Sequence, residues 1–289
     1  MKKIILFLAG FLILSAHHSS AQSASPNSLL WEISGKGLKQ PSYLFGTIHI
    51  ICKEDFVLTD NVRSKWTNAD QVFLELDMDD PKLQMNLMKM MQLPKGTTLK
   101  SIFGNDQYQK LDLFFKDNVG MSVEAINGYK PMMLMSLLYM KLLPCKETAS
   151  FEEELIKLAK IQKKNIFGLE SIEAQMGVFD SIPDEQEAES IIQMIDEHEK
   201  SDNELRQMIS LYKNKDIEEL YQFAIESPST KGYEQLFLYN RNRSWIPVME
   251  TALKQGSCFF AVGAAHLGGE EGLISLLRKA GYEVNPIAE

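Results

Sequence analysis

Cysteine, histidine and clustered basic charge are all scarce in this chain, and each shortage narrows what it can do. Three cysteines, Cys52, Cys145 and Cys258, stand far apart among 289 residues, with none of the Cys-x-x-Cys pairs of structural zinc modules. An odd count suits one disulfide and one free thiol in an oxidising compartment, without choosing the pair. Lysine and arginine number 30 against 39 aspartates and glutamates, a net charge of −9. With no basic block, the chain is not expected to bind nucleic acid or an anionic membrane, since both need clustered positive charge. A Gly-x-Ser-x-Gly elbow is missing, which argues against serine-type hydrolysis. His-Glu-x-x-His and tandem repeats are missing too.

Long hydrophobic runs are confined to the N-terminus, where Lys2 and Lys3 precede the apolar segment from Ile4 to Leu14. That run is shorter than the roughly 20 residues needed to span a bilayer. Small side chains at Ser19 and Ala21 complete the pattern of a secretory signal peptide over residues 1–21. An uncleaved anchor is the alternative. The next most apolar segment, Pro131 to Leu143, is also too short for a span and contains Lys141. The expectation is a periplasmic or secreted protein, residues 22–289, with no stable membrane span once the signal is removed.

Apolar, β-rich runs at Leu29 to Ile33, Tyr43 to Ile51, Gln71 to Leu76, Asn165 to Leu169, Cys258 to Val262 and Tyr282 to Val284 read as strands. Helical spacing occupies Asp60 to Asn68, Pro81 to Gln92, Asn105 to Asn118, Pro131 to Leu143, Ser150 to Lys163, Asp184 to Lys213, Asp216 to Glu226 and Gly232 to Gln255. A break near Arg243 is allowed in the last of these. Strand-helix alternation predicts an α/β fold, a mostly parallel sheet flanked by helices, in a single domain with a helical cap at about 171–255. Methionines at 85–91 and 132–140 read as core filling, with a soft binding surface as the alternative.

Two segments share a logic. An apolar strand runs into glycine and delivers an imidazole three residues later, at Gly46 to His49 and again at Gly263 to His266. Chance gives roughly 0.3 such matches in a chain of this composition, so the pair carries more weight than either copy. Carboxylates also stand at strand ends, Glu75 and Asp77 after one and Glu170 after another. A carboxylate that breaks an apolar strand costs free energy unless it is paired or metal-bound. Two histidines with one or two carboxylates could ligate zinc, manganese or a related ion and activate water. Partly buried core histidines and ordinary strand-end caps are the alternatives. His198, in the acidic run Asp196 to Glu199, reads as solvated.

These residues resemble the TraB/PrgY/GumN family, which includes the Tiki metalloproteases. The resemblance rests on Gly46-Thr47-Ile48-His49, Glu75-Leu76-Asp77, Gly168-Leu169-Glu170-Ser171 with Glu173 and Gln175, Arg241-Asn242-Arg243-Ser244-Trp245, and Val262-Gly263-Ala264-Ala265-His266-Leu267-Gly268-Gly269. It implies a fold similar to the erythromycin-esterase and ChaN proteins. It also implies a divalent metal, Mn or Co beside the Zn that the ligand types allow, held by His49, Glu75 and His266, with Glu75, Glu170 and Arg241 as catalytic or supporting residues. Arg241 could orient a carboxylate or a developing oxyanion. The expected function is a metal-dependent hydrolase, a peptidase acting on peptides or exported proteins. The alternative is a non-catalytic haem- or peptide-binding protein of the cell envelope.

Overall fold

A computed structural model describes residues 27–228 and 230–288, so the expected signal peptide lies outside the described residues. The strands are β1 (Leu30–Ser34), β2 (Ser42–Thr47), β3 (Ile51–Cys52), β4 (Gln71–Leu74), β5 (Thr148–Ala149), β6 (Ile166–Gly168), β7 (Cys258–Gly263) and β8 (Glu283–Pro286). Six of them form one sheet in the order β6-β4-β7-β2-β1-β8, and β3 pairs with β5 in a two-stranded sheet. Strands β2, β4, β6 and β7 run parallel, while β1 is antiparallel to both β2 and β8. The fold is therefore α/β with a mostly parallel sheet flanked by helices.

Sequence dictates the centre of this sheet. In Cys258-Phe-Phe-Ala-Val, successive side chains alternate between faces, and all five are buried. Phe259 meets Phe45 and Trp66 at 6.1 and 5.3 Å, whereas Phe260 meets Phe73 at 5.0 Å. A strand apolar on both faces needs helices on both, and the chain supplies eleven among the described residues.

The helices are α1 (Asp60–Asn68), α2 (Leu83–Met90), α3 (Leu99–Asn118), α4 (Pro131–Leu142), α5 (Phe151–Gln162), α6 (Ile172–Phe179), α7 (Asp184–Asp196), α8 (His198–Lys213), α9 (Ile217–Glu226), α10 (Asn240–Leu253) and α11 (Leu273–Lys279). Local chemistry fixes several starts: the Thr59 side chain accepts from Val62 N–H, Ser150 from Glu153 N–H and Ser171 from Ala174 N–H. Helix α3 begins earlier than its periodicity predicts and kinks at Gly104, whose φ of 70° suits glycine. The long helical run from Asp184 is two helices, broken at Glu197 (φ −107°, ψ 33°). No break occurs near Arg243; the irregularity is a π-helical turn, Gln235–Tyr239, just ahead of α10.

The block at 171–255 divides among three cores. Residues of α8, α9 and α10, among them Ile209, Leu220, Trp245 and Met249, join the core beneath the sheet. Helix α7 instead joins α3 and α4 in a second core around Leu111, Phe115, Leu134 and Ile191. A third, small cluster holds Met91, Ile172 and Met176, with Met132 and Met133 packed against it. The methionines thus split, since Met85, Met88 and Met140 are exposed. Cys52 and Cys145 form a disulfide and Cys258 is free and buried. Among the described residues, no helix is long and apolar enough to cross a membrane.

Candidate functional site

The parallel strands β2, β4, β6 and β7 all point their carboxyl ends the same way, and the chain places a polar residue just past each. These are His49 after β2, Glu75 after β4, Glu170 after β6 and His266 on the short turn Ala264–His266 after β7. Ligand sites in parallel sheets collect at this edge. The glycines explain themselves by contact. A Cβ at Gly46 would stand 3.0 Å from Ala264 Cβ and 3.1 Å from its Cα, so glycine lets the turn carrying His266 close onto β2. At Gly263 a Cβ would point into the middle of the site, 3.5 Å from Glu75 Oε1, 3.6 Å from His266 Cδ2 and 4.0 Å from His49 Nε2.

Arg241 binds the cluster together. Its Nη2 donates to Glu75 Oε2 and Glu170 Oε1, both at 2.6 Å, and its Nε donates to Glu170 at 3.0 and 3.2 Å. Nη1 donates to the Phe237 carbonyl and to His266 Nε2, each at 3.2 Å. The Phe237 carbonyl comes from the π-helical turn. All of the guanidinium's donors are engaged, so in this arrangement Arg241 orients carboxylates and has no N–H left for an oxyanion. Trp245 lies under Arg241 at 4.9 Å, beside the His266 ring at 4.6 Å, and its indole N–H reaches Glu170 at 3.2 Å.

Glu75 also accepts from Gly263 N–H at 2.9 Å and from the Gln175 side chain at 3.1 Å. Burial alone would raise its pKa. Burial is the largest single influence, but the Arg241 charge, the neighbouring His266 and His49 and the Gly263 hydrogen bond together outweigh it and hold the carboxyl down to about 2.

Each histidine is oriented through its Nδ1. Asn242 turns its Nδ2 to the carbonyls of His266 and Glu271, at 3.3 and 2.8 Å, which leaves its Oδ1 to accept from His266 Nδ1 at 2.6 Å. His266 Nε2 is therefore the unprotonated nitrogen. Burial and the neighbouring Arg241 charge push its pKa down to about 3, which keeps it neutral. His49 sits at the open side of the cleft, its Nδ1 3.0 Å from Glu152 Oε1. Thr47 and Ser150 hydroxyls hold that carboxylate at 2.7 and 2.9 Å. Desolvation opposes the charged imidazole, but the Glu152 hydrogen bond and charge prevail and raise its pKa to about 9. The Cys52–Cys145 disulfide ties β3 to the segment just ahead of β5, and the paired strands β3 and β5 lead from His49 and into Glu152.

A profile of the TraB/PrgY/gumN family matches residues 29–286. The chain belongs to this family. It is similar to a Metalloprotease TIKI homolog of Amphimedon queenslandica, at 23% identity over 98% of this chain and 66% of that protein. Metalloprotease TIKI2 of Danio rerio is 32% identical over 38% of this chain and 23% of its own length. The uncharacterized protein YbaP of Shigella flexneri is 24% identical over 82% of this chain and 88% of its own. The chain thus spans between about a sixth and two thirds of the Tiki relatives it matches. No solved structure matches significantly.

The donor chemistry is of a kind suited to a metal ion, which the names of the Tiki relatives imply. Two imidazoles have Nδ1 engaged by an amide or carboxylate oxygen and Nε2 left for the site, the usual setting of a metal-binding histidine. Two carboxylates face one guanidinium, and a charged His49 is matched by Glu152, so the cluster has one negative charge in excess. The glycine at 263 leaves open the space that a methyl would fill. As arranged, no three His, Cys, Asp or Glu side chains among the described residues stand close enough to hold an ion. Arg241 Nη1 donates to the His266 lone pair that an ion would take.

Sequence reasoning missed Glu152 as the partner of His49. Its only local signal was its place in the first turn of a capped helix, and the pairing spans 103 residues. Gln175 and Trp245 were visible only as parts of family motifs. His198 is exposed at the start of α8, with its ring 6.5 Å from that of Phe114. The Gly269 amide donates to the Glu218 carboxylate at 3.1 Å.

Proposed function

We propose that the chain is a metal-dependent hydrolase, a peptidase acting on peptides or exported proteins outside the cytoplasm. The observation that carries this reading is the pair of oriented imidazoles, His49 on Glu152 and His266 on Asn242, presented with Glu75 around the bare Cα of Gly263. The names of the Tiki relatives support a protease, and the disulfide suits an oxidising compartment.

In this reading His49, Glu75 and His266 hold the ion. A divalent ion there would polarise the scissile carbonyl and lower the pKa of bound water. Glu170 does not touch the open space; it fixes Arg241 bidentately, and Arg241 in turn fixes the Glu75 carboxylate. Asn242 holds the His266 tautomer, and Glu152 does the same for His49. With Glu75 held near pKa 2, its carboxylate is a better ligand than base.

The test is peptide cleavage by the chelator-stripped full chain with Mn²⁺, Co²⁺ or Zn²⁺ added back, beside a His49→Ala/His266→Ala double variant. Cleavage that needs metal and disappears in the variant supports the proposal. Peptides bound but returned intact at every metal loading would favour the binding-only reading instead.

A further inference from the structure

Beside the site lies a cavity of about 330 Å³ whose lining includes Glu75 and His49. Such a volume is at the low end of the roughly 300–1,000 Å³ usual for ligand pockets. Its remaining surface is divided by chemistry. Leu74 and Ala261, from the ends of β4 and β7, are buried and apolar. Leu76, Met78 and Ile156 also line it, the last from α5 and the first two from the segment that follows β4. Met78 is 38% exposed, so apolar lining reaches the surface. The acidic lining comes from the first turn of α5, where Glu152 is occupied by His49 and Glu153 is exposed.

We infer that this cavity selects the substrate: it receives one medium-sized apolar side chain, such as leucine or methionine, of an extended polypeptide, and rejects aspartate and glutamate. This rests on the peptidase reading above and adds the substrate class. The occupant follows from two features. Continuity with Glu75 and His49 places any guest side chain next to the reacting bond. The exposed carboxylate of Glu153 in the lining opposes a guest carboxylate, which also disfavours fatty acids and anionic lipid headgroups as guests. Apolar transfer gives leucine over alanine a preference of at least about tenfold, which corresponds to 1.4 kcal/mol.

The experiment is fluorescence anisotropy on the metal-stripped full chain, which cannot cleave by the proposed route, with labelled Gly-Ser peptides that carry one central Leu, Met, Ala, Lys or Asp. Leucine and methionine peptides should bind at least about tenfold more tightly than the alanine peptide, and the aspartate peptide more weakly than alanine. Ile156→Asp should abolish the leucine preference, and Met78→Asp, at an exposed position that tolerates the change, should weaken it. A flat ranking, absence of binding by every peptide, or a ranking unchanged in both variants would overturn the inference. Cleavage is scored separately. An apolar preference without metal-dependent cleavage would leave the cavity assignment standing and remove the peptidase, and cleavage without that preference would do the reverse.

Discussion

Replacing Arg241 by methionine removes the one cation that faces both Glu75 and Glu170 while keeping most of the side-chain volume. The side chains of Arg241, Glu75 and Glu170 are 12%, 10% and 6% exposed, so the two carboxylates are stranded away from water. Breaking a buried pair by removing one partner costs about 3 to 5 kcal/mol. The pH dependence is a sharper test. In the wild type, Glu75 has a folded pKa of about 2 against an ordinary value of 4.5. A depressed carboxyl contributes stability above its unfolded pKa and loses it as pH falls through the folded one. At about 1.4 kcal/mol per unit, that contribution is about 3 kcal/mol, present at pH 7 and lost between pH 4.5 and 2. In Arg241→Met the sign reverses, because burial without its main counter-charge raises the Glu75 pKa, so lowering the pH from 7 to 5 stabilises the variant. Urea unfolding of the metal-stripped proteins, followed by tryptophan fluorescence, measures both curves. A deficit near 4 kcal/mol at pH 7 that shrinks on acidification is expected. A deficit under about 1 kcal/mol, or two parallel pH curves, would refute the assignment of Arg241 as the counter-ion of this cluster.

Three further outcomes follow from local geometry. Gly263→Ala places a methyl at ordinary contact distance from Glu75 Oε1, His266 and His49, so the melting temperature should stay near the wild-type value while metal uptake, measured by calorimetry, falls. Gly46→Ala brings a Cβ to 3.0 Å from Ala264 and should cost about 1 to 3 kcal/mol in denaturant unfolding, as overpacking does. The Cys52–Cys145 bridge closes a loop of 93 residues, so a double serine variant should lose about 2 to 4 kcal/mol; because β3 and β5 carry the approach to His49 and Glu152, peptide cleavage at 25 °C should also fall in variant protein that is still folded.

The fold was legible where side-chain period and punctuation agreed. Asp60–Asn68 was read to the residue, and the Thr59 side chain caps its start. The run Cys258 to Val262 announced a central strand by being apolar at every position. The break at Glu197 was not legible, since neither glycine nor proline marks it and both flanking helices are good helix formers. Helix α6 is only eight residues long and went unread despite its Ser171 cap. At the site, His49, Glu75, Glu170, Arg241 and His266 could be picked out as chemistry-bearing residues. Their mutual arrangement could not, because it depends on strand order and on a π-helical turn that aims Arg241 inward. That Arg241 spends every donor on the cluster itself, with none left for substrate, is a property of the assembled site alone.

The measurement that bears most directly on this account is equilibrium dialysis of the chelator-stripped chain against Mn²⁺, Co²⁺ and Zn²⁺, with His49→Ala/His266→Ala alongside and circular dichroism on both. One ion per chain is expected in the wild type and none in the variant, with the two spectra superimposable. No ion bound by the folded wild type, or equal binding by both proteins, would contradict it.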